Sequence, residues 1–417
     1  MANTRITEKI EYLTDIITAY DGHEQRLKLR QKPRYSYSYD YDAMDKYQAQ
    51  WLRGQTRMRQ SDLWYIPMWH SPAYLSEDFV EHGKALYIDD KYMYNFRDCE
   101  YIEIFFEDDF KQQSNIVRTV HSYQPGVIRL KGKIDVPLYT ENTFIYPLRQ
   151  CSTTAQDGLK YIYSNGTAET LNFEVVSKES KVTIPYNSIY NYQTDADYFN
   201  DFGLPEQFLG KEVFLEHPQW VGDDSQSLTV SKNIQRMDNN TGTFVFDLRT
   251  TNSYDIHTTT ILLDSQSRIN NIKRFFERVC GRYKSFYMPT WVNDFQVDRD
   301  LQAQDNFMYT NFNILYKYYI SNGRPKNIVI FTKNFQSYIR EIASYSYEKI
   351  GDDTYGKLIL SDKLGISIPK EEILMVCYLN LVRLDSDELV INYESNVAAN
   401  TTIVTREVDD LISVAYG

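Results

Sequence analysis

Apolar and polar residues alternate along many short segments of this chain. Residues 34–41 place a tyrosine at every second position, and residues 242–248 show the same alternation. A period of two puts successive side chains on opposite faces of a strand, so both segments are predicted to be half-buried strands. Further strands are predicted at 101–106, 127–130, 143–149, 171–176, 181–184, 327–331, 357–360 and 378–383. Residues 6–19 fit either a strand or a short helix.

Two segments have helical character. Residues 266–280 carry apolar side chains on one helical face, at Ile269, Ile272, Phe276 and Val279. Ser265 is a suitable N-cap for this helix, and Gly281 is a suitable residue just beyond its C-terminus. The charged segment 43–60 is predicted to be a second helix.

One aromatic motif, Tyr-x-Pro-x-Trp, occurs twice, and in its second copy it follows the predicted helix 266–280. Its residues are Tyr65, Pro67 and Trp69 in the first copy and Tyr287, Pro289 and Trp291 in the second. The fixed φ of proline favours an extended segment, and the aromatic side chains favour closure against a core. The two tryptophans are separated by a little over half the chain, which suggests that the chain contains a duplicated unit.

The predicted strands after each motif occur in the same order. The separation of the matched positions grows steadily, from the pair Trp69 and Trp291 to the pair Arg149 and Arg383, as small loop insertions would produce. The sequence therefore predicts a mainly β (α+β) fold with tandem duplicated β-sandwich or barrel-like domains, each with one helix. The predicted domains are 1–155 and 216–417, with 156–215 as an inserted β-module or a linker; the last strands of the first unit plus a linker would also fit this region.

Composition narrows the class of protein. The 417 residues carry a net charge of −12, without a dense basic stripe, so no specific nucleic-acid partner is expected. No apolar run is long enough for a membrane helix, and the N-terminus lacks a signal peptide, so we expect a soluble protein made in the cytoplasm, with no membrane partner. The 36 tyrosines suit either protein–protein interfaces or simply a β-rich fold.

Candidate chemistry is sparse. Cys99, Cys151, Cys280 and Cys377 lie far apart without metal-binding spacing, which favours reduced, buried thiols. The six histidines show no metalloenzyme motif, and His70 aligns with Val292 in the second copy. No catalytic residue, cofactor or metal is therefore predicted, and the chain is not expected to be an enzyme.

Two alternative functions rest on specific residues. Acidic groups at 107–109, 298–300 and 385–387 would suit a glycosidase, although each follows a strand, where solvated turn acids are common. Trp64, Trp69, Trp220 and Trp291 would suit a carbohydrate-binding platform, although tryptophans in repeated motifs usually belong to a core.

Two stretches carry a family resemblance, and residues 382–387 with Arg406 and Glu407 also resemble the closing strands of that family. The first is the turn with Gly22, Glu24 and Arg26, in the pattern G-x-E-x-R. The second is the helix end with Gly281 and Arg282, followed by the aromatic segment that runs to Asp294. With these features the chain resembles the distal tail proteins and related minor tail-tip proteins of long-tailed bacteriophages.

This resemblance implies a structural virion protein made in the host cytoplasm. Such proteins form homo-oligomeric rings that join the tail tube protein to the hub or baseplate proteins. The resemblance together with the repeat leaves two ring sizes open, a trimer of two-domain subunits and a hexamer. The alternatives are a carbohydrate-binding receptor-recognition module of a phage tail and a glycosidase.

Overall fold

A computed structural model provides the structure of the protein. It describes residues 5–19, 22–41, 46–58, 62–96, 99–107, 113–124, 126–153, 160–163, 166–176, 206–220, 226–238, 240–248, 253–311, 327–351 and 353–408. The predicted strand at 181–184 lies outside these ranges.

The chain is mainly β, with large antiparallel sheets, which confirms the predicted fold class at that level. The first-half strands are β1 (Ile6–Glu11), β2 (Thr14–Thr18), β3 (Glu24–Lys28), β4 (Arg34–Tyr41), β5 (Leu63–Pro67), β6 (Ala73–Tyr74), β7 (Ala85–Tyr87), β8 (Tyr101–Glu107), β9 (Gln113–Gln124), β10 (Val127–Leu130), β11 (Phe144–Thr153), β12 (Lys160–Tyr163) and β13 (Gly166–Val175). The remaining strands are β14 (Gln207–Phe208), β15 (Lys211–Glu212), β16 (Gln226–Ser231), β17 (Ile234–Asp238), β18 (Phe244–Leu248), β19 (Tyr254–Leu263), β20 (Ser285–Pro289), β21 (Phe307–Thr310), β22 (Asn327–Thr332), β23 (Ser337–Ile350), β24 (Asp353–Leu360), β25 (Ile373–Leu384), β26 (Glu388–Tyr393) and β27 (Ala399–Glu407). Helices α1 (Lys46–Met58) and α2 (Gln266–Val279) and the 3-10 segments Asp90–Phe96 and Lys370–Glu372 complete the elements.

Helix α2 begins and ends as its sequence predicts. The Ser265 hydroxyl accepts a hydrogen bond from the backbone N–H of Arg268, which satisfies one donor of the first turn. Cys280 at the C-cap has φ 57°, and Gly281 follows with φ 65°. The four apolar side chains of the predicted face are all buried: Ile269, Ile272, Phe276 and Val279. The polar side chains Asn270, Lys273 and Arg274 are buried as well, which the pattern did not predict.

The strands of the two halves pair in the same order. In the first half, β1 pairs with β4, β4 with β13, β13 with β11, and β11 with β5 and β8. In the second half, β16 pairs with β19, β19 with β27, β27 with β25, and β25 with β20 and β22. The pairs β2–β3 and β17–β18 form matching distal hairpins.

The matching strands and helices are also in register. Strands β1, β2 and β3 begin at Ile6, Thr14 and Glu24, and strands β16, β17 and β18 begin at Gln226, Ile234 and Phe244. The separation along the chain is the same for all three pairs of strands. Helices α1 and α2, which begin at Lys46 and Gln266, share this separation. The equal spacing makes each of these elements the counterpart of one element in the other half.

The register corrects two matches made from the sequence. The alternating segment 242–248 matches β3 in position, whereas the counterpart of residues 34–41 is β19. Arg383 pairs with Ser285, while Ser152 pairs with Leu63, the first residue of β5. The counterpart of Arg383 is therefore Ser152 rather than Arg149, because sequence alternation fixes the face of a strand but does not fix its register.

Strand β13 belongs to the sheet of the first half. It lies within the region predicted as an insert, 156–215, and it pairs with both β4 and β11. Strand β12 forms a hairpin with β13, as β26 does with β27 in the second half. The first sheet therefore continues through Val175.

The buried apolar side chains form three clusters. One cluster lies within residues 73–145 and a second within residues 295–378, one in each half. Phe79 forms an isolated bridge with Leu138 in the former, and Leu301 forms one with Ile368 in the latter. The largest cluster surrounds α2 and takes residues from both halves. The halves are thus joined by a shared core.

Candidate functional site

The hairpin of β2 and β3 lies against the end of α2 and the end of β25. We call the five charged side chains at this contact the clamp: Glu24, Arg26, Arg282, Arg383 and Asp387. Arg26 donates to the carbonyl oxygen of Tyr283 at 3.5 Å and to the Glu24 carboxylate at 3.0 Å. The two stretches that carry the family resemblance are therefore in contact in the fold.

Glu24 and Arg383 form the centre of the clamp. Arg383 donates from Nε and Nη2 to the two carboxylate oxygens of Glu24, each at 2.8 Å, and from Nη1 to Asp385 at 2.9 Å. The two side chains of the pair are 3% and 10% exposed. Burial opposes ionisation of Glu24, but the hydrogen bonds and charge of Arg383, with the charge of Arg26, lower its pKa to about 2. Glu24 is therefore a carboxylate at neutral pH.

Asp387 ties the start of β2 to the end of α2. Its carboxylate accepts from the backbone N–H of Thr14 at 2.7 Å, from the Thr14 hydroxyl at 2.9 Å and from the backbone N–H of Arg282 at 2.8 Å. Arg282 also donates to the carbonyl oxygen of Thr14 at 2.8 Å. The Asp387 side chain is 10% exposed, so the expectation of a solvated turn acid is wrong for this residue.

Gly281 allows this close approach. A Cβ at Gly281 would lie 2.5 Å from Oδ1 of Asp387 and 3.2 Å from its Cα. The positive φ of 65° is a second reason for glycine, since L-residues with a side chain are strained there. Gly22, with φ 93°, lies in the turn that carries Glu24.

A second polar group, the Glu8 cluster, lies in the core between β1 and α2. We define it as Glu8, His70, Lys273 and Tyr393. Lys273 Nζ lies 2.5 Å from Oε2 of Glu8, and the Tyr393 hydroxyl donates to the same oxygen at 2.7 Å. Nε2 of His70 lies 3.6 Å from this oxygen. A buried charge must be compensated, and Lys273 supplies the compensating charge.

The Glu8 cluster holds fixed protonation states. Burial opposes ionisation of Glu8, but the charge of Lys273 and the hydrogen bonds from Lys273 and Tyr393 lower its pKa to about 2. Burial lowers the pKa of His70 to about 3; the charge of Glu8 opposes this shift, and the positive charges of Lys273 and Arg149 add to it. His70 is consequently neutral, and Glu8 and Lys273 form a charged pair.

Further polar contacts continue along α2. The Tyr35 and Tyr94 hydroxyls donate to Glu277 at 2.7 Å and 3.1 Å. Asn270 donates to the carbonyl oxygen of Lys91 at 2.8 Å. Each partner of α2 in these bonds comes from the first half, so α2 is the surface on which the first half rests.

The two copies of the Tyr-x-Pro-x-Trp motif make equivalent contacts at the ends of β5 and β20. The backbone N–H of Met68 donates to Pro147 O at 3.0 Å, and that of Thr290 donates to Tyr378 O at the same distance. Ring centroids lie 5.2 Å apart for Trp69 and Phe105. They lie 4.9 Å apart for Trp291 and Phe331. Pro67 and Pro289 end β5 and β20. Tyr65 is 48% exposed and Tyr287 is 6% exposed, so the copies differ in surroundings.

The residues of the alternative functions are dispersed. Trp291 is buried, Trp64 and Trp69 are half-buried, and Trp220 is 54% exposed, so the four do not share one exposed face. The acidic group at 107–109 lies partly outside the described residues. All four cysteines are buried, and none of them forms a disulfide bond. Within the described ranges, no group of three or more His, Cys, Asp or Glu side chains could hold a metal ion. No described helix could span a membrane.

Sequence reasoning missed Glu8 and Lys273 as site residues, and it named Arg383 and Asp387 without predicting their contacts. The signal available for Glu8 was a carboxylate at an inward position of an alternating strand, since Ile6 and Ile10 on the same face are apolar. A charge in such a position needs a buried partner. The identity of that partner could not be found from the sequence, because Lys273 lies in another half of the chain.

Comparison with known proteins gives no family. No family model and no curated protein match the chain. Among solved structures, a four-residue variant of Bacillus subtilis oxalate decarboxylase is 8% identical, covering 97% of this chain and 74% of that chain with a TM-score of 0.09. A point variant of the same enzyme is 8% identical over 96% and 74%, also with a TM-score of 0.09. At this TM-score the likeness carries no structural argument.

Proposed function

We propose that the chain is a structural protein of a phage tail tip, forming a ring between the tail tube protein and the hub or baseplate proteins. The observation that carries this proposal is the contact between the two stretches of the family resemblance. Glu24 and Arg26 lie on one side of the clamp, and Gly281 and Arg282 lie on the other. Residues that occur together in a family motif and also meet in space support a shared architecture.

The chemistry of the clamp and of the Glu8 cluster agrees with a structural role. Glu24 and Glu8 are held as carboxylates by arginine or lysine partners, and both pairs are shielded from solvent. Proton transfer requires a group whose pKa lies near the working pH, whereas these carboxylates are fixed in one state. Such pairs orient and join elements of structure.

The repeat bears on the number of chains in the proposed ring. One chain contributes two units with the same strand order, so three chains would present six similar positions. A trimer of this kind would let a six-fold tube meet a three-fold hub. A hexamer of the whole chain would instead present twelve units.

Electron microscopy of the parent particle tests the function directly. We expect density for the chain as a ring beneath the tail tube. Density in a peripheral fibre would overturn the proposal. A ring of six chains would overturn the trimer but leave the tail-tip assignment intact.

A further inference from the structure

The first half covers the second half through one continuous arm. We define the first arm as β1 to β4, residues 6–41, and the second arm as β16 to β19, residues 226–263. Strand β1 pairs with β26 over its full length, from Ile6 opposite Tyr393 to Glu11 opposite Glu388. The same arm reaches α2 through Glu8 and reaches the end of β25 through the clamp. The first arm therefore forms an interface between the two halves of one chain.

The second arm has the same construction as the first. All its strands are in register with those of the first arm, and the turns of the distal hairpins contain Gly22 with φ 93° and Gly242 with φ 92°. A duplicated arm that kept its geometry has a surface for the same type of partner.

The two arms differ sharply in exposure. On the first arm, Ile10 is 0% and Glu8 is 1% exposed, whereas their counterparts Val230 and Leu228 are 62% and 52% exposed. The counterpart of His70, which is 1% exposed, is Val292, at 55%. These three buried positions of the first half therefore have apolar, exposed counterparts in the second half, whereas the counterparts of Tyr37 and Tyr39, His257 and Thr259, are buried. In the distal hairpin, the exposed apolar residues are Ile234, Met237, Phe244, Val245 and Phe246.

The surface that would receive the second arm is also open in the first half. Helix α1 is the counterpart of α2, and its Gln50 and Arg57, which match Asn270 and Glu277, are exposed. Strand β12 occupies the place of β26 in its hairpin. Whereas β26 pairs with both β27 and β1, β12 pairs only with β13 among the described strands. An unpaired strand edge is a template for pairing with another chain.

We propose that the second arm of one chain binds α1 and β12 of a second copy, repeating between chains the interface that joins the halves within a chain. The proposal rests on the ring proposed above and names its contact. Because the two surfaces of the contact are different, the interface is heterologous, and a head-to-tail series of this kind closes into a ring when its rotation allows.

Residue differences between the two halves at matched positions support a second copy of the chain as the partner. In the intrachain interface Glu24 pairs with Arg383, and the counterparts are Phe244 and Ser152. Both charges are thus replaced together, which avoids an unpaired charge at the interchain contact. The other exchange concerns the hydrogen bond from Tyr35 to Glu277. By register its counterparts are Asp255, which is 6% exposed in the single chain, and Arg57, and these two side chains carry opposite charges.

The test uses the full chain and its oligomeric state, measured by light scattering and native mass spectrometry. Phe244→Glu combined with Phe246→Glu places two charges on the exposed hairpin, and we expect the ring to dissociate to monomers. The far-UV circular dichroism and the thermal transition should stay unchanged, since these side chains are outside the three cores. The matched control is Val117→Glu, at a position 49% exposed on β9, which should leave the ring intact.

Cross-linking identifies the contacting surfaces. Phe244→Cys together with Ser152→Cys should give interchain products with a short bismaleimide, up to the full ring size. Phe244→Cys together with Val117→Cys should not. Cross-links between two Phe244→Cys hairpins, a ring that survives the two glutamates, or a wild-type chain that stays monomeric would each overturn the inference.

The proposed function and the proposed interface can be refuted independently of each other. A ring beneath the tail tube that survives Phe244→Glu with Phe246→Glu would refute the interface and keep the function. A ring in solution with the expected cross-links, but with the chain absent from the tail tip, would refute the function and keep the interface.

Discussion

Glu24 and Arg383 lie 359 residues apart in the sequence and form a two-bond ion pair at 2.8 Å in the fold. The pair joins the β2–β3 hairpin of the first half to strand β25 of the second half. Because both side chains are shielded from solvent, neither can lose its partner without leaving a charge behind. This makes the clamp a point at which the assembly of the two halves can be tested.

Replacing Arg383 should destabilise the whole chain. We expect Arg383→Met to lower the free energy of unfolding by about 3–5 kcal/mol, because the Glu24 carboxylate stays buried beside Arg26 alone. Arg383→Lys keeps the charge but loses the two-bond geometry, so its cost should be smaller. Urea denaturation measures both. Arg129→Met, at an exposed position, is the control, and an Arg383→Met effect no larger than this control would contradict the prediction.

Gly281 should tolerate a side chain less well than Gly242. Both have positive φ, at 65° and 92°, but a Cβ meets Asp387 only at Gly281 and has nothing within 4 Å at Gly242. We expect Gly281→Ala to cost roughly 2–4 kcal/mol from backbone strain and overpacking. Gly242→Ala should cost only about 1 kcal/mol from strain. Equal shifts of the urea midpoint for the two variants would show that the contact with Asp387 is unimportant.

Local structure was largely accessible from the sequence. The period of two located β4, apolar segments bounded by polar residues located β8 and β22, and the cap chemistry of Ser265 located the start of α2. These predictions were accurate because strand alternation and capping depend on neighbouring residues. Segment 6–19, which fitted a strand or a helix, contains β1 and β2.

The sites depended on contacts that sequence patterns do not encode. The polar residues of α2 predicted a solvent-facing side, but Lys273 and Asn270 are buried against the first half. The match of Arg383 to Arg149 was wrong because loop insertions between strands shift the register by an amount that only pairing reveals. The family resemblance identified Glu24, Arg26, Gly281 and Arg282. The contacts that Asp387 and Arg383 make with these residues could be found only from the fold.

Breaking the Glu8–Lys273 pair from one side should cost more than removing both charges. Lys273→Met leaves a buried carboxylate without its lysine, and we expect a loss of about 3–5 kcal/mol in the free energy of unfolding. Glu8→Leu with Lys273→Met should be less destabilised than Lys273→Met alone, since leucine already occupies the counterpart position, Leu228. A double-mutant cycle in urea measures the coupling. A double variant that loses the sum of the two single effects would show that the pair is not coupled.

His70 should make the chain less stable as the pH falls below neutral. Its pKa is about 3 in the fold and 6.5 as an ordinary histidine, so the unfolded chain binds this proton first. Linkage then lowers the free energy of unfolding by about 1.4 kcal/mol per pH unit below 6.5, until the pH approaches the folded pKa. Glu8 and Glu24 have lowered pKa values near 2 against 4.5, so their stabilising effect is lost only as the pH falls below 4.5. The range between pH 6.5 and 4.5 therefore isolates the histidine from these two carboxylates.

Urea denaturation of wild-type protein and His70→Gln at pH 7 and pH 5 measures this contribution. We expect wild-type protein to lose about 2 kcal/mol more than the variant over this interval, which corresponds to the 1.5 pH units below 6.5. His82→Gln, at a side chain 64% exposed, is the matched control and should keep the wild-type dependence. Equal pH dependence in wild-type protein and His70→Gln would mean that His70 takes up its proton in the folded core, and that the Glu8 cluster accepts a second positive charge.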